Sequence, residues 1–441
     1  MHIAILGFGN ENKALFNFLK KDKTYKNAEF WILDKNENLK IPKGAKSILG
    51  PNYLKNLNNF DIIFRSPGVP YNLKELIKAR KNGIQISSAI KLFFEKASKK
   101  TKNIIGITGT KGKSTTSTLI YKILKNAGKN VILAGNIGKS PLNYLNKINK
   151  NTFVVLELSS FQLQDLKQSP HIAVVLDIFS DHQDAHKSLK EYFDAKSNIC
   201  KNQNKNDIVF YFKNNPKTKN IAQKGLGKKI AIDEKNFNLF SINDLKIKGI
   251  HNFKNAAIAS SVCLYLNIPK NIILKTVKNF KGLKNRIEFT RKIKINKNQF
   301  IEFYNDSAST NPGSALAAIK AFPKKPKIII LGGKDKNLEY SPLSLEIKKL
   351  EKEIPYIFLF GENKNKIYKS LKKANIKSEI IFKNNLKETI SEAKNIGIEF
   401  LNKNPNTKEF IVVFSPASAS FDMFSNYKQR GEEFKKIVLN L

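Results

Sequence analysis

Short apolar runs rich in Ile, Val, Leu and Phe return along the whole chain, and segments of helical period separate them. Runs of that kind suit strands buried on both faces, and the intervening helices suit crossovers, so the pattern restricts the fold to parallel sheets built from strand-helix-strand units. The expected class is α/β. In the first part HIAILG (2–7), FWILD (30–34) and DIIFRS (61–66) read as strands, with helices near 13–21, 73–81 and 89–96. The second part carries NIIGIT (103–108), VILAGN (131–136), FVVLELS (153–159), IAVVLDI (172–178) and DIVFYF (207–212), then a helical stretch over 252–266. The third repeats the alternation with QFIEFYND (299–306), KIIILGG (327–333), YIFLFG (356–361) and EFIVVFSP (409–416). At about 150 residues per domain, 441 residues make three domains. The polar stretch 97–102 and the turn at 282–287 set the expected boundaries, giving domains 1–97, 98–287 and 288–441 with hinges at the two joins.

Charge needs a separate reading. Lys plus Arg is 78 against 36 Asp plus Glu, a formal net charge of +42, while the 41% hydrophobic content excludes wholesale disorder. Such a balance can mark a nucleic-acid partner. Here the lysines are scattered through every segment, with no arginine-rich tract and no block of interleaved aromatics, so a solvated basic surface is expected and no nucleic acid. Only Arg65, Arg80, Arg286, Arg291 and Arg430 are arginines. Cys200 and Cys263 sit in unrelated contexts, which leaves neither a disulfide framework nor a zinc spacing and fits a reducing cytoplasm. No window reaches 18 apolar residues and no signal-like segment opens the chain, so no membrane insertion is expected. A monomer is the default expectation.

The strongest local signal is GITGTKGKST (106–115), set between an apolar strand and a helical run. Glycines let consecutive N–H groups turn inward on an anion, the helix start adds partial positive charge, Lys113 can neutralise terminal phosphates and Ser114 can ligate magnesium. Ile107 occupies the place of the first Gly in the strict phosphate-loop pattern, which leaves the shorter G-T-x-G-K-S form from Gly109 to Ser114. Next, Glu157 interrupts the apolar run FVVLELSSFQLQ (153–164), where an unpaired carboxylate would cost several kcal/mol, so a cation or donor must meet it. A structural Lys partner is the alternative. DIFSDHQDAH (177–186) clusters Asp181, His182, Asp184 and His186 at a strand's end, where open α/β sheets put ligands, although a solvated loop would look the same. GFGNEN (7–12) is a broken dinucleotide fingerprint, with Asn12 in place of the third Gly.

Together these residues resemble one family. The G-T-x-G-K-S loop, E-x-S-S-F-Q-L, D-H-x-D-x-H, Lys196 on the next helix and His251-Asn252-x-x-Asn255 are similar, in that order, to the Mur ligases of peptidoglycan precursor synthesis. Ser66-Pro67-Gly68, NDSASTNPGSALAAI (305–319), GGKDKN (332–337) and SPASASFDMFSNYKQRG (415–431) extend the likeness over all three parts. The resemblance implies a Rossmann-like first domain, a phosphate-loop ATPase-like central sheet and a Rossmann-like third domain. The S-S-F-Q-L form points to the branch that adds D-glutamate to UDP-N-acetylmuramoyl-L-alanine, with siblings that add other amino acids as the alternative. A basic nucleic-acid-binding ATPase would leave Glu157, His182 and Lys196 unexplained.

What the family implies can be placed residue by residue. ATP would lie on Gly109, Thr110, Lys111, Gly112, Lys113, Ser114, Thr115 and Thr116, with Asn252 and Asn255 on the adenine side and Arg286 and Asp306 reaching it from beyond. One Mg2+ would be held by Ser114 and Glu157. A second would lie between His182 and Lys196, the lysine being carbamylated by CO2 into an anionic ligand. Lys113, Glu157, His182 and Lys196 are thus the expected catalytic set, with His182 also against the substrate. The UDP-linked substrate would meet Gly9, Asn10, Asp34, Ser66, Pro67, Gly68 and Asn136. D-glutamate would meet Lys336, Ser420, Phe421 and Tyr427, the last in place of the usual Phe. Lys111, Ala185, Asn285 and Ala308 depart from the family pattern, and Ala308 removes a cation near the reacting groups.

Overall fold

Strands form in the interior wherever the chain is apolar without interruption. In a computed structural model that describes residues 1–179 and 188–441, the first sheet comprises β1 (His2–Leu6), β2 (Glu29–Asp34), β3 (Lys46–Leu49), β4 (Ile62–Arg65) and β5 (Gln85–Ser87). Its order is β3-β2-β1-β4-β5 and every pair is parallel, the Rossmann-like arrangement. Helices α1 (Asn10–Leu19), α2 (Lys74–Lys81) and α3 (Ala89–Ala97) make the crossovers.

The second sheet contains β6 (Ile104–Thr108), β7 (Val131–Gly135), β8 (Phe153–Glu157), β9 (Ile172–Val175), β10 (Ile208–Phe212) and β11 (Lys228–Ile232). These run in the order β11-β10-β9-β6-β8-β7, all parallel. Helices α4 (Lys113–Asn126), α5 (Ser160–Leu163) and α6 (Leu189–Ser197) follow β6, β8 and β9. The first two sheets share one core, in which Ile90, Phe93 and Phe94 of α3 join Leu142 and Leu145 of the central part. They belong to one compact unit, Met1–Phe240 with Lys254–Val277.

The other unit, Ser241–Phe253 with Lys278–Leu441, is built on a mixed sheet. Its strands are β12 (Glu288–Lys294), β13 (Phe300–Asn305), β14 (Lys327–Gly332), β15 (Tyr356–Phe360), β16 (Glu379–Phe382) and β17 (Glu409–Phe414), in the order β12-β13-β17-β14-β15-β16. Only β12 is antiparallel, and its register shifts between Phe289 and Arg291.

In the first two sheets the order reverses around an early strand, with β1 between β2 and β4 and β6 between β8 and β9. The loops leaving those strands diverge to opposite faces and open a crevice at the carboxyl edge. The Gly109–Ser114 loop, Glu157 and the Ser66-Pro67-Gly68 turn all follow or end strands at such edges. No helix of the described residues is long and apolar enough to cross a membrane.

Candidate active site

The central crevice begins at the loop between β6 and α4. Gly112 has φ +86°, and a Cβ there would stand 2.2 Å from Asn255 Oδ1, so only glycine lets the loop pass the buried Asn255 amide. Thr110 N donates to Asp177 O at 2.9 Å, and Thr110 Oγ1 lies 2.8 Å from Tyr192 OH, which pins the loop to β9's exit and to α6. Lys113 Nζ folds back on Gly109 O at 2.9 Å and Thr110 O at 3.0 Å. Lys196 Nζ, almost fully buried, meets the same Gly109 O at 3.0 Å and lies 4.7 Å from the centre of the Tyr192 ring. Two ammonium groups therefore converge on one carbonyl oxygen. Ser114, Thr115 and Thr116 follow in the first turn of α4, where the helix start favours an anion. Lys111 is exposed on the loop.

Glu157 ends β8 with 2% of its surface exposed. Its Oε1 accepts from Asn136 Nδ2 at 2.9 Å, and Asn136 N donates to Glu157 O at 2.8 Å. Gly135, at φ +103°, makes that approach possible, because a Cβ would stand 2.3 Å from Glu157 O. The other oxygen, Oε2, is buried with no hydrogen-bond partner. A buried carboxylate oxygen left open in this way fits a divalent cation, and the lysine expected as the alternative partner is replaced by a neutral amide. His182, with Asp181, Asp184 and His186, lies outside the described residues.

A cavity of about 320 Å³ joins these groups to the first sheet, with Pro67, Gly68 and Pro70 on one side and Thr110, Lys113, Asn136, Ser159, Ser160, Phe161, Tyr192 and Lys196 on the other. At the first sheet's edge, Gly9 caps α1 and the exposed Asn10 opens it. Asp34 Oδ2 accepts from Phe8 N at 2.7 Å, so the carboxylate expected at a ribose also shapes the loop beside it. Asn12 is fully buried and donates to Gly7 O at 2.9 Å, with longer bonds to Leu6 O and Phe64 O. Its amide ties strand ends together where the fingerprint's third Gly would admit close packing.

In the second unit, Asp306 directly follows β13, with Oδ2 accepting from Ser415 Oγ at 2.7 Å and Oδ1 from Ile287 N at 3.1 Å. Asn285, at φ +61°, accepts from Asn305 Nδ2 at 2.9 Å, an αL position that suits Asn. Arg286 is exposed, Asn252 is buried with Nδ2 donating to Lys248 O at 2.8 Å, and Ala308 is half-buried. Lys336 is exposed with Nζ 5.3 Å from the Phe421 ring centre, Phe421 itself is 61% exposed, Ser420 is buried and Tyr427 opens the last helix. Burial holds the half-buried His251 imidazole down at about 4, hence neutral near pH 7.

A family model described as the Mur ligase middle domain matches residues 107–263. The UDP-N-acetylmuramoylalanine--D-glutamate ligase of Clostridium acetobutylicum is 34% identical over 99% of this chain and 96% of its own length. Its namesake in Clostridium tetani is 35% identical over 100% and 96%. The chain belongs to the Mur ligase family. Solved Mur ligases share the fold: MurF from Thermotoga maritima, in complex with ADP, superposes with a TM-score of 0.60 at 16% identity over 99% of this chain and 95% of that one. MurC from the same organism gives 0.57 at 18% identity over 100% and 99%.

Within this Mur ligase the structure gathers Lys113, Lys196, Asn136 and the Ser-Pro-Gly turn around one cavity, with Glu157 held by Asn136. Sequence reasoning passed over two residues. Arg430, 1% exposed, donates from Nε to Ser307 Oγ at 3.0 Å, from Nη1 to Ala419 O at 3.0 Å and from Nη2 to Ser307 O at 2.9 Å, so it shapes the loop carrying Ser420. Arg65 is equally buried. The signal was present in both cases, since a chain that otherwise uses Lys keeps Arg where a planar fork is needed.

Proposed function

We propose that the chain is an ATP-dependent ligase that joins D-glutamate to UDP-N-acetylmuramoyl-L-alanine through an acyl phosphate in peptidoglycan precursor synthesis. The names of its full-length relatives support the substrate pair. The observation that carries the chemistry is the meeting of Lys113 and Lys196 on Gly109 O, at a cavity whose opposite wall is formed by Pro67, Gly68 and Pro70. Two cations held that close favour an incoming polyanion. In phosphoryl transfer the protein acts chiefly by positioning and by neutralising charge.

The roles follow from the placement. The N–H groups of 109–114 and the start of α4 receive the phosphates, and Lys113 leaves its loop carbonyls to neutralise the terminal one. The substrate's carboxylate, delivered past Pro67 and Gly68, takes that phosphoryl group, and the amine of D-glutamate then displaces phosphate from the activated carbonyl. Ser114 and Glu157 would hold Mg2+, which supplies Lewis-acid charge at the phosphates. Lys196 would serve as a ligand once its uncharged amine adds to CO2, forming an N–C bond and releasing a proton; as an ammonium it has no lone pair to offer. His182 completes that set in this reading. Asn252 and Asn255 take the adenine side, Arg286 and Asp306 the phosphates, Gly9, Asn10 and Asp34 the UDP end, and Lys336, Ser420, Phe421 and Tyr427 the D-glutamate. The proposed domains are 1–97, 98–287 and 288–441. Free, buried Cys200 and Cys263 support a cytoplasmic site of action.

The test is phosphate release with components omitted in turn. Release should require ATP, Mg2+, UDP-N-acetylmuramoyl-L-alanine and D-glutamate together. Equal release with L-alanine, a diamino acid or D-alanyl-D-alanine in place of D-glutamate would move the chain to a sibling activity. Release stimulated by an oligonucleotide alone would overturn the ligase reading.

A further inference from the structure

Arg65 closes β4 with 1% of its surface exposed, and its guanidinium spans two parts of the chain. Nη1 donates to Val69 O at 2.7 Å and more weakly to Ser66 O at 3.3 Å, the two ends of the turn that carries Pro67 and Gly68. Nη2 donates to Phe161 O at 3.1 Å and reaches Asp165 Oδ1 at 3.5 Å, both beyond Glu157 in the central part. Asp165 is itself buried, and Lys91 Nζ stands 3.6 Å from its other oxygen. A second tie runs alongside. Gln162 Nε2 donates to Glu11 Oε2 at 3.0 Å, while Gln162 also closes the capping box on Ser159.

We propose that Arg65 is a positioning residue that locks the Ser-Pro-Gly wall of the cavity to the wall formed by Ser159, Ser160 and Phe161. The proposal rests on the ligase reading, in which the first wall guides the carboxylate and the second leads back to Glu157. A planar fork can hold carbonyls on both sides at once, whereas an ammonium is a single centre. With the fork gone, the turn and α5 no longer share a fixed frame, and a shift of about 1 Å between reacting groups can cost on the order of a hundredfold. Arg65 makes no bond to the 109–116 loop on which ATP would lie, so ATP binding should be largely spared.

The experiment measures kcat and both KM values for the full chain, for Arg65→Lys and for Arg65→Ala, with melting curves alongside. In both variants kcat over KM for UDP-N-acetylmuramoyl-L-alanine should fall at least about tenfold, with the KM for ATP changed less than about twofold. Methylguanidinium should restore part of the Arg65→Ala loss and methylammonium none. Wild-type kinetics in Arg65→Lys, or equal rises in both KM values, would overturn the role. If both variants fail to fold, Asp165→Asn reads the same point: a selective loss toward the UDP-linked substrate supports it, and unchanged kinetics refute it. A wild type that releases no phosphate with these substrates refutes the parent reading and this proposal with it. An active wild type matched by Arg65→Lys refutes Arg65 alone.

Discussion

The carboxyl edges of the central and third sheets carry the same kinds of polar side chain and use them in opposite ways. At the central edge Glu157 Oε2 is buried without a hydrogen-bond partner, and Lys113 and Lys196 both donate to Gly109 O. At the third edge Arg430 places all its arms on Ser307 and Ala419, Asn305 Nδ2 serves both Asn285 and Gly431, and both oxygens of Asp306 are bonded. In the proposed ligase reading the first edge receives charge from outside. The second uses its charge to fix loop shape, and Lys336 stays exposed beside it.

If that contrast holds, equivalent mutations at the two edges should separate activity from stability. Glu157→Gln keeps the shape and removes the open charge. Phosphate release should fall about a thousandfold while the melting temperature stays level or rises, because a buried carboxylate is costly. A large drop in melting temperature instead would make Glu157 a structural partner and erase the difference. Arg430→Met should do the reverse, lowering unfolding free energy by on the order of 3 kcal/mol in urea titrations as three buried acceptors lose their donor.

Lys336→Met sharpens the comparison further. It should raise the KM for D-glutamate roughly thirtyfold, about 2 kcal/mol, and leave stability unchanged. The smallest effect concerns His251, whose folded value of about 4 lies below the ordinary 6.5. Between those values the unfolded chain binds more protons, so stability is fully present above pH 6.5 and declines as pH falls toward 4. His251→Asn should flatten that decline by about 1 to 2 kcal/mol in denaturant midpoints taken across the window, a figure reduced for the ring's partial exposure.

Which parts were legible in the sequence follows from burial. Interior strands such as β1, β6 and β14 are apolar but for one terminal residue and were read directly. The strands passed over, β3, β5, β11, β12 and β16, all lie at sheet edges, where one side is unpaired and lysines, glutamates and glutamine enter the run. Edge positions tolerate charge because it discourages further pairing, and that same charge hides them from a pattern of hydrophobicity. In the site, Gly109 to Ser114 and Glu157 were legible because a phosphate loop and a lone carboxylate in an apolar run are locally anomalous. For Arg65 the sequence offered only the rarity of Arg in a Lys-rich chain, since its partners at Phe161 and Asp165 are far along the chain and only folding brings them together.

The central claim is that the substrate's own carboxylate accepts the phosphoryl group at the open edge. Supplying UDP-N-acetylmuramoyl-L-alanine with a heavy oxygen isotope in that carboxylate, together with ATP, Mg2+ and D-glutamate, tests it by mass spectrometry of the released phosphate. Phosphate that carries one labelled oxygen per turnover is the predicted result. Unlabelled phosphate, formed while the amide product accumulates, would contradict the account.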